Sequence, residues 1–446
     1  MGDIIVQKYG GSSVATTEKI TNIAKRLIER KKTDSKIVVV VSAMGDTTDD
    51  YISLAKDITK NPDKRELDVL MSTGEMISAS LLAMSLKSMG CDAVSYNAYQ
   101  LEIHTSGTHG KSLIDDINVS KIKESLEEDK IVIVTGFQGL DERGDITTLG
   151  RGGSDTSAVA LAVKLNGKCE IYTDVDGIYF TDPRKFKEAK KLEEIEYEEM
   201  LELASLGAQV MHSRSIELAQ KYQIELYVGL SCSDIKGTYI RGMKNMKLED
   251  KVITGLATSD DDVAITLDID EEKVVDLFEN IANKNISMDM ISQTAPMNSK
   301  ITVSFTIPKE DLAIAKEIVS TYAPQDEVII DENISMDMIS QTAPINSSNI
   351  TVSFTIPKED LVKAKEIVSK YVLKNKIIID ENITKLSLVG LGMKHTSGVA
   401  SKVFNILRKN GIKVKLITTS EIRITCAISS KDTHAAVQGI AREFNI

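Results

Sequence analysis

The sequence predicts an α/β protein. One doubly wound, mostly parallel sheet fills the first ~250 residues, and small ferredoxin-like βαββαβ modules follow. Three observations carry that expectation. KIVVVVS (36–42) and IVIVTGF (131–137) are continuous β-branched runs, the mark of strands buried on both faces. Two glycine loops, 10–13 and 150–153, each follow a strand-like run and precede apolar residues at helical spacing. Beyond Val252 the strands shorten and the alternation changes period.

Taken in order, DIIVQKY (3–9) reads as a strand that ends in Lys8, Gly10, Gly11, Ser12 and Ser13. A helix to about Lys32 follows, with Ile20, Ile23, Leu27 and Ile28 on one face. Lysine beside glycines supplies a compact charge for phosphate oxygens, or else it faces solvent at a strand end; the GxxxxGK[ST] spacing of a P-loop is absent. After the 36–42 strand, AMGDTTDD (43–50) reads as a polar loop at the carboxyl end of the sheet, where open α/β folds place ligands. LDVLMSTGE (67–75) leads into a long helix to about Met89, with Glu75 expected just before it as either a cap or a site carboxylate. Strands at 93–97 and 131–137 continue the alternation.

TTLGRGGSDTSAVALAVKL (147–165) is the centre of the chain. Glycines let backbone N–H groups approach a ligand, the helix start favours negative charge, and Arg151 adds a planar fork for carboxylate or phosphate. CEIY (169–172) is a further strand. The turn-rich TDVDGIYFTDPR (173–184) after it reads either as a cradle for a nucleotide or as a plain surface loop. An acidic helix at 193–204, then segments 210–219 and 224–228, complete the first region.

In the second region, strands are expected at 263–269, 286–291, 301–307 and 327–331, with helices at 271–284 and 309–322. A later module has strands at 386–391, 414–419 and 421–428 and helices at 399–409 and 433–444. Residues 286–333 are followed by an almost verbatim copy, 334–382, so two identical segments can compete for one place in a sheet.

Composition narrows the function. Of 446 residues, 42% are hydrophobic and 27% charged, as in ordinary globular proteins. A formal net charge of −12 argues against nucleic-acid and anionic-membrane partners. The scattered cysteines 91, 169, 232 and 426 suit a reducing cytosol and give no zinc spacing. No signal peptide is visible, and no apolar run is expected to reach the roughly 20 residues of a membrane helix.

KYGGSS (8–13), VVVVSAMGDTT (38–48), LMSTGE (70–75), VTGFQG (134–139), TTLGRGGSD (147–155) and YTDVDGIYFTDPR (172–184) occur in one order, with LITTSEIRI (416–424) near the end. Together they resemble the aspartate kinases of the amino acid kinase family, which carry C-terminal ACT regulatory modules. The resemblance implies a kinase domain over 1–251, a first ACT module over 252–333, a partial ββαβ duplicate over 334–382 and a second ACT module over 383–446. It implies ATP-dependent phosphorylation of the L-aspartate side chain, with Mg²⁺ carried by ATP and an amino-acid effector, lysine or threonine. By similarity, Lys8 and Asp155 are catalytic, with Asp155 orienting Lys8. Arg151 clamps the substrate α-carboxylate, Glu75 meets its ammonium, and Thr48 and Ser154 add hydrogen bonds. Lys8, Gly10, Gly11, Ser12, Gly152, Thr173, Asp174, Tyr179 and Arg184 line the ATP site. Asp289 and Gln293, repeated as Asp337 and Gln341, match effector positions.

Gln209 stands where relatives carry lysine and Ser213 where they carry proline, and Asp268 to Lys273 replace a glycine turn before a module helix. A homodimer or dimer of dimers through the ACT modules is implied, in the cytoplasm. Acetylglutamate kinase and glutamate 5-kinase are the rival enzymes, and Glu75 opposes the first because an N-acetyl group has no charge to pair with a carboxylate. A non-catalytic amino-acid sensor is the rival of another class, opposed by Lys8, Arg151 and Asp155.

Overall fold

A computed structural model describes residues 4–33, 36–206, 208, 210–242, 252–259, 262–270, 291–293, 300–308, 353–355, 383–394, 396 and 398–444. Two compact units emerge: Met1–Phe180 with Ala189–Asp250, and Thr181–Glu188 with Lys251–Ile446.

The first unit runs β1 (Ile4–Tyr9), α1 (Thr17–Lys31), β2 (Lys36–Val41), α2 (Thr47–Ile58), α3 (Lys64–Ser88), β3 (Ala93–Tyr96), β4 (His104–Ser106) and β5 (Leu113–Asp116). Next come α4 (Ser120–Glu127), β6 (Ile131–Thr135), β7 (Gln138–Leu140), β8 (Ile146–Thr148), α5 (Gly153–Leu165) and β9 (Lys168–Thr173). The unit closes with β10 (Glu194–Ile195), α6 (Tyr197–Ser205), α7 (Ser213–Tyr222), β11 (Leu226–Leu230) and β12 (Thr238–Ile240).

Eight strands form the main sheet in the order β10-β12-β11-β9-β1-β2-β6-β3. From β11 through β3 every neighbouring pair is parallel, so the carboxyl ends of β1, β2, β6 and β9 lie along one edge. The chain leaves β1 toward β2 on one side and returns to β9 on the other, so the strand order reverses at β1. Successive β residues face opposite layers. Tyr9, Ile37, Val39, Val41, Ile131 and Ile133 join Ile23, Leu27, Leu82 and Leu86 of α1 and α3 in one core. Lys8, one residue along, instead pairs with Asp155 of α5, on the other face.

Several helices begin as their sequences dictate. Thr16 caps α1 by accepting from Lys19 N (3.2 Å), and Asp63 caps α3 by accepting from Glu66 N (3.1 Å). The polar loop expected over 43–50 is shorter, because Thr47 to Asp50 are the first turn of α2. Glu75 does not precede the long helix but lies inside α3, which starts at Lys64. Gly74 is there for close approach rather than as a stop, since a Cβ on it would lie 2.7 Å from Ala43 Cβ. α3 is also, among the described residues, long and apolar enough to cross a membrane, contrary to expectation; half of that window is buried inside the protein, which accounts for its composition. The acidic helix expected at 193–204 begins later, after the short β10. Strands β5, β4, β7 and β8 form a small second sheet that the sequence reading did not anticipate.

The second unit holds β13 (Gly255–Ser259), β14 (Asp262–Asp270), β15 (Ile291–Gln293), β16 (Lys300–Pro308), β17 (Ser353–Thr355), β18 (Ile383–Val389), α8 (Val399–Lys409), β19 (Leu416–Thr419), β20 (Arg423–Ser429) and α9 (Thr433–Phe444). One sheet is β13-β18-β20-β19, so β13, expected with the first module, pairs instead with β18 of the last. The other is β15-β16-β14-β17. There both copies of the duplicated SFT flank one strand: Thr266 of β14 is in register with Ser304 on one side and Ser353 on the other. The expected helices 271–284 and 309–322, the strand 327–331, and residues 271–273, Gln209, Asp289, Asp337 and Gln341 lie outside the described residues.

Candidate active site

The site is built at the carboxyl edge of the parallel sheet. Lys8, the last-but-one residue of β1, is only 8% exposed, and its Nζ lies 2.6 Å from Asp155 Oδ1 in the first turn of α5. A cation held this way is neutralised by a buried partner and fixed in direction. After Tyr9 the chain turns through a 3-10 turn, Gly11–Ser13. The N–H of Gly10, a residue expected to line the ATP site, donates to Tyr172 O of β9 (3.2 Å). A Cβ on Gly10 would stand 3.4 Å from Lys8 Nζ, an ordinary contact, so the position lies beside the lysine head without demanding glycine. The Ser13 hydroxyl is buried and has no partner among the described residues.

β2 delivers Ser42 and Ala43. The Ser42 hydroxyl lies 2.8 Å from that of Ser154, and Ala43 N donates to Glu75 Oε1 (3.0 Å). Glu75 is 3% exposed, and its Oε2 has no hydrogen-bond partner among the described residues. Burial pushes its carboxyl up to about 7 from an ordinary 4.5, against the smaller opposing pull of backbone N–H groups including that of Ala43. Thr48 sits in the first turn of α2, half-buried.

The loop 149–153 joins β8 to α5. Gly152 caps α5 in the left-handed region (φ +67°), and a Cβ would fall 2.2 Å from His212 Cβ, so only glycine fits. Arg151 is exposed and makes no ion pair among the described residues. At the end of β9 the Thr173 hydroxyl donates to Asp174 Oδ1 (3.0 Å). Farther along, Tyr179 donates to Asp176 (3.1 Å), which Lys191 also meets at 3.0 Å.

Contacts and chain connectivity therefore link Lys8, Asp155, Ser154, Ser42, Ala43 and Glu75 into one run of neighbours, and Arg151 and Gly152 lie in the loop just before α5. Arg184 falls in the second unit, where its guanidinium forks onto Asp182. Gln293 ends β15, in register with Val303. Sequence reasoning passed over Ser42, Asp68 and Arg214. The signal for Asp68 is an acid one heptad before Glu75, on the helix face that also carries Met71, Ser72, Ser78 and Ala79.

The pattern of the amino acid kinase family matches residues 3–229. An aspartokinase of Bacillus sp. (strain MGA3) is 40% identical over 447 residues, spanning 99% of this chain and 97% of that protein. The chain belongs to the aspartokinases of the amino acid kinase family. The aspartokinase of Corynebacterium glutamicum is 37% identical over 99% of this chain and 96% of its own length. Escherichia coli aspartokinase III, solved in complex with aspartate and ADP in its R-state, shares the fold with a TM-score of 0.72 at 22% identity, covering 99% of each chain. The ACT domain pattern matches residues 386–444, from β18 through α9 of this aspartokinase.

Proposed function

We propose that this aspartokinase transfers the γ-phosphoryl group of ATP to the side-chain carboxylate of L-aspartate, giving 4-phospho-L-aspartate and ADP, the first step toward lysine, threonine and methionine. The observation that carries the reading is the buried Lys8–Asp155 pair, in one run of neighbours with a buried carboxylate, Glu75, that has one oxygen unpartnered among the described residues. A phosphate cation and an ammonium receptor stand together.

The acceptor carboxylate has a pKa of about 4 and is already ionised at neutral pH, so no general base is required. Its oxygen attacks the γ-phosphorus as the bond to the bridging oxygen of ADP breaks. Two anions must be brought into line and the spreading charge neutralised. Lys8, oriented by Asp155, meets the phosphoryl oxygens. The N–H groups of Gly11, Ser12 and Gly152, at the starts of a 3-10 turn and of α5, face the same charge. Glu75 takes the α-ammonium, Arg151 the α-carboxylate, and Thr48 and Ser154 add hydrogen bonds. Thr173, Asp174 and Tyr179 stand on the nucleotide side. Among the described residues no group of three His, Cys, Asp or Glu could hold a metal. Mg²⁺ would be carried by the ATP phosphates, where it would screen their charge.

Within this reading, residues 1–251 are the kinase domain, 252–333 and 383–446 the ACT modules and 334–382 the partial duplicate. An amino-acid effector, lysine or threonine, acts at the ACT modules, and the enzyme works in the cytoplasm as a homodimer or dimer of dimers. ADP release measured against a panel of amino acids tests the reaction. Turnover with L-aspartate alone, trapped by hydroxylamine as the hydroxamate of an acyl phosphate, is the expected result. Equal turnover with glutamate or N-acetylglutamate overturns it.

A further inference from the structure

Asp68 of α3 is a buried acid that no step above uses. It is 0% exposed, and four donors surround it. Its Oδ1 accepts from the Thr148 hydroxyl (2.6 Å), and its Oδ2 from Thr148 N (3.1 Å) and Gly110 N (3.0 Å). The Nδ1 of His109, itself partly exposed, lies 2.8 Å from that same Oδ2. Four hydrogen bonds are near the full capacity of a carboxylate, so the solvation lost on burial is replaced.

Two separate segments are tied by this one group. Thr148 ends β8 and leads directly into Leu149, Gly150 and Arg151, while His109 and Gly110 belong to the turn before β5. The same two segments are joined again by Ser112 N to Thr148 O (3.0 Å). A third tie comes from Arg214 of α7, whose guanidinium donates to Leu149 O (2.9 Å) and Ser112 O (2.9 Å). The root of the Arg151 loop is thus clamped by an anion from one helix and a cation from another. Arg151 itself, two residues past the Leu149 carbonyl, is exposed and free of ion pairs among the described residues.

The place of Asp68 along α3 gives the clamp a meaning. Asp68 and Glu75 are seven residues apart in one helix, hence on the same face and about 10.5 Å apart along the axis. We propose that α3 acts as a ruler for the α-amino-acid end of the substrate. Glu75 meets the ammonium, and Asp68, through Thr148 and Gly110, sets where the loop bearing Arg151 can present its guanidinium to the carboxylate. Asp68 is a positioning residue, acting through Arg151, and the proposal rests on the substrate reading given above. The class of ligand it selects is the free α-amino acid with both charges present.

Steady-state kinetics on the full chain test it. Asp68→Ala should raise KM for aspartate by about tenfold or more, the scale expected from losing hydrogen bonds to a charged group, with KM for ATP and kcat each within about threefold. Asp68→Asn should restore KM to within about threefold. Its amide oxygen can accept from Thr148 N, Gly110 N and His109, and its amide nitrogen can donate to the Thr148 hydroxyl. The Asp68→Ala/Arg151→Ala double variant should have a KM no higher than Arg151→Ala alone, because one acts through the other. A multiplied KM in the double variant, or an unchanged KM in Asp68→Ala, overturns the ruler. Should Asp68→Ala fail to fold, Thr148→Val removes one of the four bonds and gives the same comparison at smaller amplitude. Arg151→Ala alone separates the two failures. An unchanged KM there overturns the substrate reading itself, whereas a raised KM with an indifferent Asp68 removes only the ruler.

Discussion

The two glycine corners of the first unit hold their cations in opposite circumstances. At 8–13 the cation is the last-but-one residue of a buried strand, sequestered and locked to Asp155 at 2.6 Å. At 149–153 it rides on the crest of a turn, exposed and without an ion pair among the described residues. The sequence motifs look alike, yet one charge is fixed by the fold and the other is left for a ligand. Fixing a charge suits the γ-phosphate, whose charge develops in the transition state and rewards donors that need no reorganisation. Leaving a charge free suits the α-carboxylate, which is bound equally in ground state and transition state.

The largest test of that contrast is Lys8→Ala. We expect kcat to fall by about a thousandfold or more, the scale seen when a charge-stabilising group is removed from a transition state. The same change strands Asp155 as a buried, unpaired carboxylate, so thermal unfolding should also move down by several degrees. The double variant Lys8→Ala/Asp155→Ala should recover stability but not turnover. A single variant with unaltered melting would mean that the pair is not buried in solution. Arg151→Ala should behave oppositely: KM for aspartate rises about ten- to hundredfold, kcat falls little and melting stays put. Lost stability there, or a lost kcat at saturating aspartate, would erase the distinction.

These two corners also mark what the residues alone disclosed. Period-2 and β-branched patterning placed β1, β2, β6 and β9, and with them the edge on which the loops gather. The Lys8 and Arg151 loops were visible as glycine runs after strands. Whether each cation is buried was not, since that depends on Asp155 arriving from a helix begun 145 residues later. Glu75 lies inside α3 rather than ahead of it, and the close approach of α3 to Ala43 at Gly74 is a long-range contact that the local pattern does not show. The pairing of the Gly10 N–H with Tyr172 is long-range, so the residues around Gly10 do not show it. Of the duplicated segments, Ser304–Thr306 and Ser353–Thr355 lie on opposite edges of β14.

Glu75 offers a test of intermediate size. Burial holds its proton up to about 7, and pairing with an ammonium requires the ionised form. KM for aspartate should therefore be roughly tenfold higher at pH 6 than at pH 8, with kcat less affected. The ligand-free protein carries the opposite slope. Its folded state holds this proton more tightly than the unfolded chain, whose value is near 4.5, so stability from this group is present below that value and declines as pH rises toward 7. Glu75→Gln should flatten both dependences while leaving KM high at every pH. A persisting tenfold KM slope in Glu75→Gln would assign the titration to another group.

The smallest expected effect concerns Ser42, whose hydroxyl lies 2.8 Å from that of Ser154 and whose carbonyl accepts from Ser78 at 2.6 Å. Ser42→Ala keeps the carbonyl contact, and with it the join between β2 and α3. It removes only the hydroxyl that orients Ser154 at the start of α5, one residue before Asp155. One neutral hydrogen bond is worth about 1 kcal/mol, so a change of about three- to tenfold in kcat/KM is expected, with melting nearly constant. Ser154 lies between the free cation at 151 and the anion at 155 that fixes Lys8, so the division of the loss is informative. A rise in KM for aspartate alone would group Ser42 with the Arg151 corner. A fall in kcat alone would group it with the Lys8 corner, since a turned Ser154 would then shift Asp155 and the charge it aims.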